Sequence, residues 1–332
     1  MRFAVLIALL FHLFAYGEEA AYRPGGGVQV AGLPLYVGGY FSLNYRQQEE
    51  LQQLSLDDLA LLAYGDDGKF FYLAEIEASD SYLKSWMPEN STNTELRFHA
   101  ERLYFGYDFN EINSLQIGKY NSPIGFWNLT PINVLRDTTS SPVSTEILFP
   151  KYTTGFGLSH HTYSASENSI NLMMQQTRDL DALYNSDDVY NNFDTDRHYG
   201  IGFVHTLGAW SYQLNTGTFH THLKETFFYL MASLCYESET FKLLSEIGSQ
   251  HDRGDFSVPY AGYVQGVYRF TPQHAGILRL EAYKDDTRAA KDAFSVFGYT
   301  YRPIYPVALK AEYQLHSLHA EDQFLISFSV LF

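Results

Sequence analysis

The segment Gln323-Phe324-Leu325-Ile326-Ser327-Phe328-Ser329-Val330-Leu331-Phe332 ends the sequence. In an extended chain Phe324, Ile326, Phe328, Val330 and Phe332 share one face, while Gln323, Leu325, Ser327, Ser329 and Leu331 share the other. The period is two, so the segment reads as a strand and not a helix. One face is wholly apolar. Such a strand either lines the inner face of an exported sandwich or faces lipid in a closed barrel.

The start of the chain bears on that choice. Arg2 precedes an apolar run from Phe3 to Phe14, Ala15-Tyr16-Gly17 follows with small residues, and Glu18-Glu19 come next. A charged start, a short apolar core and a small-x-small cut site predict a signal peptide over 1–17, cleaved after Gly17. The run is shorter than the roughly 20 residues a spanning helix needs. Later apolar runs such as Phe227–Leu234 are strand-sized. Only helices and closed barrels satisfy every backbone group in lipid. An exported chain of this kind is therefore soluble or crosses a membrane as strands.

Composition narrows the field. The 332 residues include 27 Tyr and 25 Phe, which suits strands and the aromatic girdles of a membrane barrel. Cys235 is the one cysteine, so no intramolecular disulfide holds the fold. The net charge of -16 argues against nucleic acid, whose phosphates require a basic face. The mean hydropathy is slightly polar, as expected when alternate residues face a wet lumen.

Residues 18–34, with Pro24-Gly25-Gly26-Gly27, read as a flexible lead-in, and 35–332 read as one all-β domain. The strand-like segments are Leu35–Tyr45, Leu54–Tyr64, Phe70–Ala78, Glu95–Tyr107, Ser114–Tyr120, Thr153–Tyr163, Ser169–Gln176, His198–Thr206, Ser211–Phe219, Thr226–Tyr236, Thr240–Ser249, Pro259–Phe270, Ala275–Tyr283, Ala293–Tyr301, Val307–Leu315 and Gln323–Phe332. This predicts a transmembrane antiparallel β-barrel of about sixteen strands. About ten residues at about 3.3 Å rise, tilted about 45°, cover about 23 Å, close to the apolar band of such barrels. Short connections such as Gly65-Asp66-Asp67-Gly68 alternate with longer ones at 79–94, 121–152, 177–197, 250–258 and 284–292. Short periplasmic turns and long external loops produce that alternation.

Alternation also assigns faces. Leu278, Leu280 and Ala282 point to lipid while Arg279 and Glu281 point inward; Leu309, Ala311 and Tyr313 point out while Lys310 and Glu312 point in. Arg102 breaks the pattern of its strand, which predicts a bulge or a rim position there. The expected lumen charges are Glu75, Glu77, Arg97, Glu101, Lys119, Lys242, Glu246, Arg269, Arg279, Glu281, Lys310 and Glu312.

The longest connection, 121–152, is the third external loop by strand order. Loops beyond about 12–15 residues are usually functional. Pro123, Pro131, Pro142 and Pro150 stiffen it, and its charges are Arg136, Asp137, Glu146 and Lys151. The segment Leu115-Gln116-Ile117-Gly118-Lys119-Tyr120-Asn121-Ser122-Pro123-Ile124-Gly125 resembles the strand, Gly-Lys/Arg-aromatic, Pro-x-Gly segment of the phosphate-selective-type porins. The resemblance is specific over about 100–130. It implies a sixteen-stranded, commonly trimeric outer-membrane channel. The basic lumen of the phosphate-selective members is not shared: 22 basic residues stand against 38 acidic ones.

The expected function is a passive channel for small hydrophilic solutes and ions in the outer membrane of a Gram-negative bacterium, narrowed by the loop 121–152. Loop acids Asp187, Asp188, Asp194 and Asp196 at its mouth would favour cations. The apolar face from Phe324 to Phe332, with Ile326, Phe328 and Val330, would be the signal read by the barrel assembly machinery. A substrate-specific channel for an organic acid, sugar, phosphate or metal chelate is the alternative. A non-conducting barrel serving as adhesin or hydrolase is a lesser one. His160-His161, His220 with His222, and His316 with His319 read as hydrophilic rim residues, and no local motif marks a nucleophile. No cofactor, metal or catalytic residue is expected.

Overall fold

The structure, a computed structural model, describes residues 25–30, 32–49, 51–79, 81–86, 97–180, 192–253 and 255–332, with the backbone alone at 79, 81–84 and 97. The expected signal peptide, Asp187, Asp188 and the Arg97 side chain lie outside the described residues.

The strands are β1 (Val28–Gln29), β2 (Leu35–Gln48), β3 (Leu51–Asp66), β4 (Phe70–Ser79), β5 (Ser81–Ser85), β6 (Arg97–Asn110), β7 (Asn113–Asn121), β8 (Tyr152–Tyr163) and β9 (Glu167–Gln175). They continue as β10 (Thr195–Leu207), β11 (Trp210–Thr221), β12 (Thr226–Glu237), β13 (Phe241–Asp252), β14 (Asp255–Arg269), β15 (His274–Asp285), β16 (Ala290–Tyr301), β17 (Val307–Leu315) and β18 (Gln323–Leu331). β5 continues the line of β4 along β3. β1 lies along β2 beyond the end of β18. The other sixteen form a closed antiparallel barrel in which each strand pairs with its sequence neighbours and β18 pairs with β2. Closure removes the two free edges an open sheet would present to lipid.

The closing strand pairs Ile326 with Tyr45 and Ala311, and Ser329 with Ser42 and Ala308. Phe332 and Gly39 exchange backbone hydrogen bonds at 2.8 Å in each direction, which completes the seam.

Side chains follow the expected alternation. Leu278, Leu280, Phe297, Leu309, Tyr313, Ile326 and Phe328 are exposed on the outer surface, while Arg279, Lys310, Glu312, Ser327 and Ser329 are buried. An apolar band this extensive on a water-soluble surface would drive association. On a barrel it is the lipid face. Aromatic pairs gather beside the turns at the end that holds the termini: Trp210–Tyr236 at 4.7 Å, Phe70–Tyr107 at 4.9 Å and Tyr268–Phe270 at 5.2 Å. That placement matches an interfacial girdle. Among the described residues no helix is long and apolar enough to cross a membrane.

Leu280 tests the face assignment. It is 53 % exposed in mid-strand, next to the buried Arg279. Leu280→Arg is expected to lower folding stability in lipid vesicles by about 2–4 kcal/mol. A urea titration that shows no loss would mean that Leu280 does not face lipid.

Two expected long loops are tight turns instead. β13 and β14 run to Asp252 and from Asp255, and β15 and β16 run to Asp285 and from Ala290. The polar residues there read as loop, but inward-facing polar residues extend a strand equally well. Pro259 fits within β14 because the register slips: Gly248 opposes Ala261 while Gln250 opposes Val258. A bulge tolerates the missing donor of proline.

Candidate functional site

The interior site begins at Gly118. It holds φ +128°, a region that L side chains rarely adopt, and an added Cβ would stand 2.1 Å from the Leu103 carbonyl oxygen. Pairing of β6 with β7 ends at Leu103↔Lys119, while β7 and β8 stay paired to Asn121↔Tyr152. The β7–β8 hairpin therefore parts from β6 just past Gly118. The connection 121–152 leaves from that parted hairpin and lies against the inner wall.

Its anchors come from most of the barrel. Gln213 and Asn215 on β11 each donate to the Pro123 carbonyl at 2.9 Å. Glu246 on β13 accepts from the amides of Phe126 at 2.5 Å and Trp127 at 3.2 Å. Lys310 on β17 donates to Asn133 Oδ1 at 2.8 Å and to the Thr138 carbonyl at 3.2 Å. Arg279 on β15 donates to Thr138 Oγ1 and Ser140 Oγ at 2.8 Å, and its Nε meets Glu281 Oε1 at 2.5 Å. Glu281 accepts from the Val143 amide at 2.8 Å, and Glu312 from Ser140 Oγ at 2.5 Å. Arg302 donates to the Arg136 carbonyl at 2.6 Å. Apolar contacts add to these: Ile124, Ile147, Leu148 and Phe149 pack with Met173, Phe219, Tyr229 and Met231, and Val134 packs with Tyr40, Ala60 and Leu331. The loop carries a 3-10 turn at Asn133–Leu135 and one short helix, α1 (Val143–Ile147).

The expected lumen charges thus divide. Glu246, Arg279, Glu281, Lys310 and Glu312 lie on the inner wall, but each is at most 4 % exposed because the loop covers it. They hold the loop instead of meeting solvent. Lys242 pairs with Asp137 at 3.2 Å, and Arg269 with Glu237 at 2.7 Å beside a turn. Lys119 meets Asp179 at 3.5 Å and lies over the Tyr152 ring. Glu75, Glu77 and Glu101 lie on the wall formed by β3, β4 and β6, where Tyr40 donates to Glu75 and Glu77 and the loop end reaches Glu101 through the Tyr152 hydroxyl. Asp194 is held by Arg178 at 2.7 Å, and Asp196 is half-buried.

A polar cavity of about 200 Å³ lies between that wall and the loop. Asp57, Asp58, Glu77 and Glu101 form the wall side, and Arg136, Thr139, Thr145, Glu146, Lys151 and Tyr152 stand on the loop side. Arg136 Nε donates to the Thr130 carbonyl at 2.6 Å, and Lys151 meets Glu146 at 2.9 Å. Enclosure within the barrel pushes the Glu146 carboxyl up, but the Lys151 ammonium and the Arg136 guanidinium outweigh it and set its pKa below the ordinary value. Its folded pKa is depressed, so the contribution of the Glu146–Lys151 pair is present above the ordinary carboxylate pKa and is lost only as pH falls through the lowered one. Glu146→Gln should therefore make the loop more open to proteolysis at neutral pH, with the difference from wild type vanishing as pH falls through the lowered pKa, read by limited digestion between neutral and acid pH. Equal digestion of the two proteins at neutral pH would remove that role from the pair.

Two wall features are bulges, and the sequence reading anticipated only the one at Arg102. Asp57-Asp58 and Glu101-Arg102 are adjacent charges, one of which would face lipid under strict alternation. In the structure Tyr40 opposes Ala60 while Ser42 opposes Asp57, and Asp58 takes φ +52°. Likewise Glu75 opposes Arg102 while Ile76 opposes Ala100. Each extra residue returns the second charge to the interior, where Arg102 meets Glu75. Adjacent charges in a lipid-facing strand were the available signal; the Arg102 break used it and the Asp57-Asp58 pair was passed over.

No protein-family model matches the chain, and no curated protein does. Solved structures match over nearly the whole length. OmpF of Salmonella typhi, solved in complex with daunomycin, superposes with a TM-score of 0.63 at 10% identity, covering 93% of this chain and 98% of that one. The anion-selective porin of Comamonas acidovorans gives 0.60 at 11% identity, covering 90% and 99%. The outer-membrane channel DcaP of Acinetobacter baumannii gives 0.59 at 10% identity, covering 92% and 100%. At such identities the likeness is one of fold, the closed sixteen-stranded antiparallel β-barrel.

Proposed function

We propose that this chain is an outer-membrane porin: a water-filled channel for passive diffusion of small hydrophilic solutes and ions, constricted by the loop 121–152. The observation that supports this best is the polar cavity of about 200 Å³ left between the loop and the acidic wall of a closed barrel. A sixteen-stranded barrel is wide enough to need either a lumen or a plug. In this reading the loop fills one side of the interior and the cavity beside the acidic wall is the route. The fold fits the outer membrane of a Gram-negative bacterium, with lipid on the apolar face and the closing strand as the signal for barrel assembly. A solved relative of the same fold, OmpT of Vibrio cholerae, is described in a trimer form, and a homotrimer is part of this reading.

The charge balance sets the expected selectivity. Asp57, Asp58, Glu77 and Glu101 face Arg136, Glu146 and Lys151 across the cavity. The Debye length is about 8 Å at physiological salt, comparable to a narrow constriction, so passing ions feel that field. Cations should pass more readily than anions. Reversal potentials in a KCl gradient across a planar bilayer measure this. Asp57→Asn with Asp58→Asn is expected to shift the reversal potential toward zero selectivity. Absence of conductance from purified protein would sink the channel reading, and anion preference in the wild type would sink the charge argument.

The substrate-specific alternative rests on a second cavity, of about 270 Å³, where Trp127, Leu129, Leu135 and Leu244 adjoin the Lys242–Asp137 pair. An apolar platform beside a cation would suit an organic acid. Saturable current block by organic acids, absent for sugars, would favour it.

A further inference from the structure

We propose that Glu77, His99 and Glu101 form a binding site for one divalent transition-metal cation, of the zinc type, on the acidic wall. The three side chains each bring a donor atom to within 4.8 Å of the others. The convergence follows from sheet geometry. Glu77 and His99 are cross-strand partners on β4 and β6, and His99 and Glu101 lie two apart on one face of β6. Directly opposed residues place their Cβ atoms about 4.5–5.5 Å apart, so short rotations bring their tips together.

The donor set has a chemical preference. His99 Nε2 stands 2.9 Å from Glu101 Oε2. One imidazole with two carboxylates suits zinc, cobalt or nickel, whereas magnesium and calcium take oxygen shells. Tyr40 donates to Glu77 Oε2 at 3.1 Å, and Tyr152 donates to Glu101 Oε1. Such outer hydrogen bonds orient metal-binding carboxylates. Arg102 meets Glu75, Lys151 meets Glu146 at 2.9 Å and Lys119 meets Asp179 at 3.5 Å.

A separate observation shows a place for a ligand. Glu77 and Glu101 open onto the cavity of about 200 Å³, and Thr145 lines its far side. Thr145 is 2 % exposed, and among the described residues its Oγ1 has no hydrogen-bond partner. The cavity beside Glu77 and Glu101 is polar and large enough to hold a hydrated ion.

The proposal rests on the channel reading only for its electrical consequence. Equilibrium dialysis of the full chain in detergent against zinc chloride at neutral pH is expected to show one saturable equivalent. His99→Asn and, separately, Glu77→Gln should each weaken that binding by about tenfold or more, the size seen even for lost outer-shell partners. His316→Asn, in the second acid–histidine group with Asp292 and Glu321, should leave it unchanged. Zinc should also raise the thermal midpoint of the wild type and not of H99N. Absence of saturable binding by the wild type, binding unaltered in both H99N and E77Q, or binding lost in H316N would overturn the site. Added zinc should reduce single-channel current in the wild type alone. A protein that binds zinc but never conducts would retain the site and lose the channel.

Discussion

An Arg279→Ala variant is expected to unfold at lower urea than the wild type, by about 3–5 kcal/mol, and to carry more current per channel. Arg279 is fully buried and is bonded to Glu281, Thr138, Ser140 and Gln265. Its removal leaves Glu281 charged, buried and without its cation, and breaking a buried pair from one side is the costly way to do so. The same change frees the Thr138–Ser140 stretch of the loop. Glu312 and Lys310 still hold that stretch, so the loop loosens without leaving the wall. A conductance equal to wild type in a protein that has lost stability would mean the loop does not set the passage. Unaltered stability would mean that the Arg279 network is not the anchor its geometry makes it.

Gly118→Val is expected to be severely damaging. Valine at φ +128° is strained by about 1–3 kcal/mol, and β-branched residues almost never adopt positive φ. Its Cβ would also meet the backbone at Leu103 O and Tyr104 Cα, at 2.1 and 2.7 Å, which cannot swing aside as a side chain can. Relief requires β7 to straighten and pair further along β6, which would pull the origin of the loop out of the interior. We expect little folded barrel, read as loss of the heat-resistant compact form on a denaturing gel. Gly266→Ala is the control: an added Cβ there first meets Phe241 at 3.7 Å, so the change should stay within about 0.5 kcal/mol. Equal damage from both substitutions would show that strand glycines matter for their entropy and not for the bend at 118.

Much of this was legible beforehand because a barrel writes its pattern into single strands. Arg279, Lys310 and Glu312 were placed on the inner wall by alternation alone, since a charge on the lipid face costs about 2–4 kcal/mol. The break at Arg102 forecast a bulge for the same reason. What those inner charges touch was not legible. Arg279 and Ser140 lie far apart in the chain, and nothing in either neighbourhood names the other. The apolar loop residues Ile124, Val134, Leu148 and Phe149 hinted that the connection packs against something, but not against which strands.

The sequence by itself therefore determined the barrel in outline: the sixteen strands, the faces of side chains where alternation runs unbroken, and the pairing of the last strand with β17 and β2. These depend on a two-residue period and on neighbours adjacent in the chain, both of which are local. The tertiary structure decided the interior. It turned five expected solute-facing charges into loop anchors, brought Asp57 and Asp58 to the wall through a bulge, and set Glu77, His99 and Glu101 side by side. Those outcomes depend on contacts across the barrel and on single-residue register slips, which alternation cannot resolve because a slip of one residue exchanges the two faces.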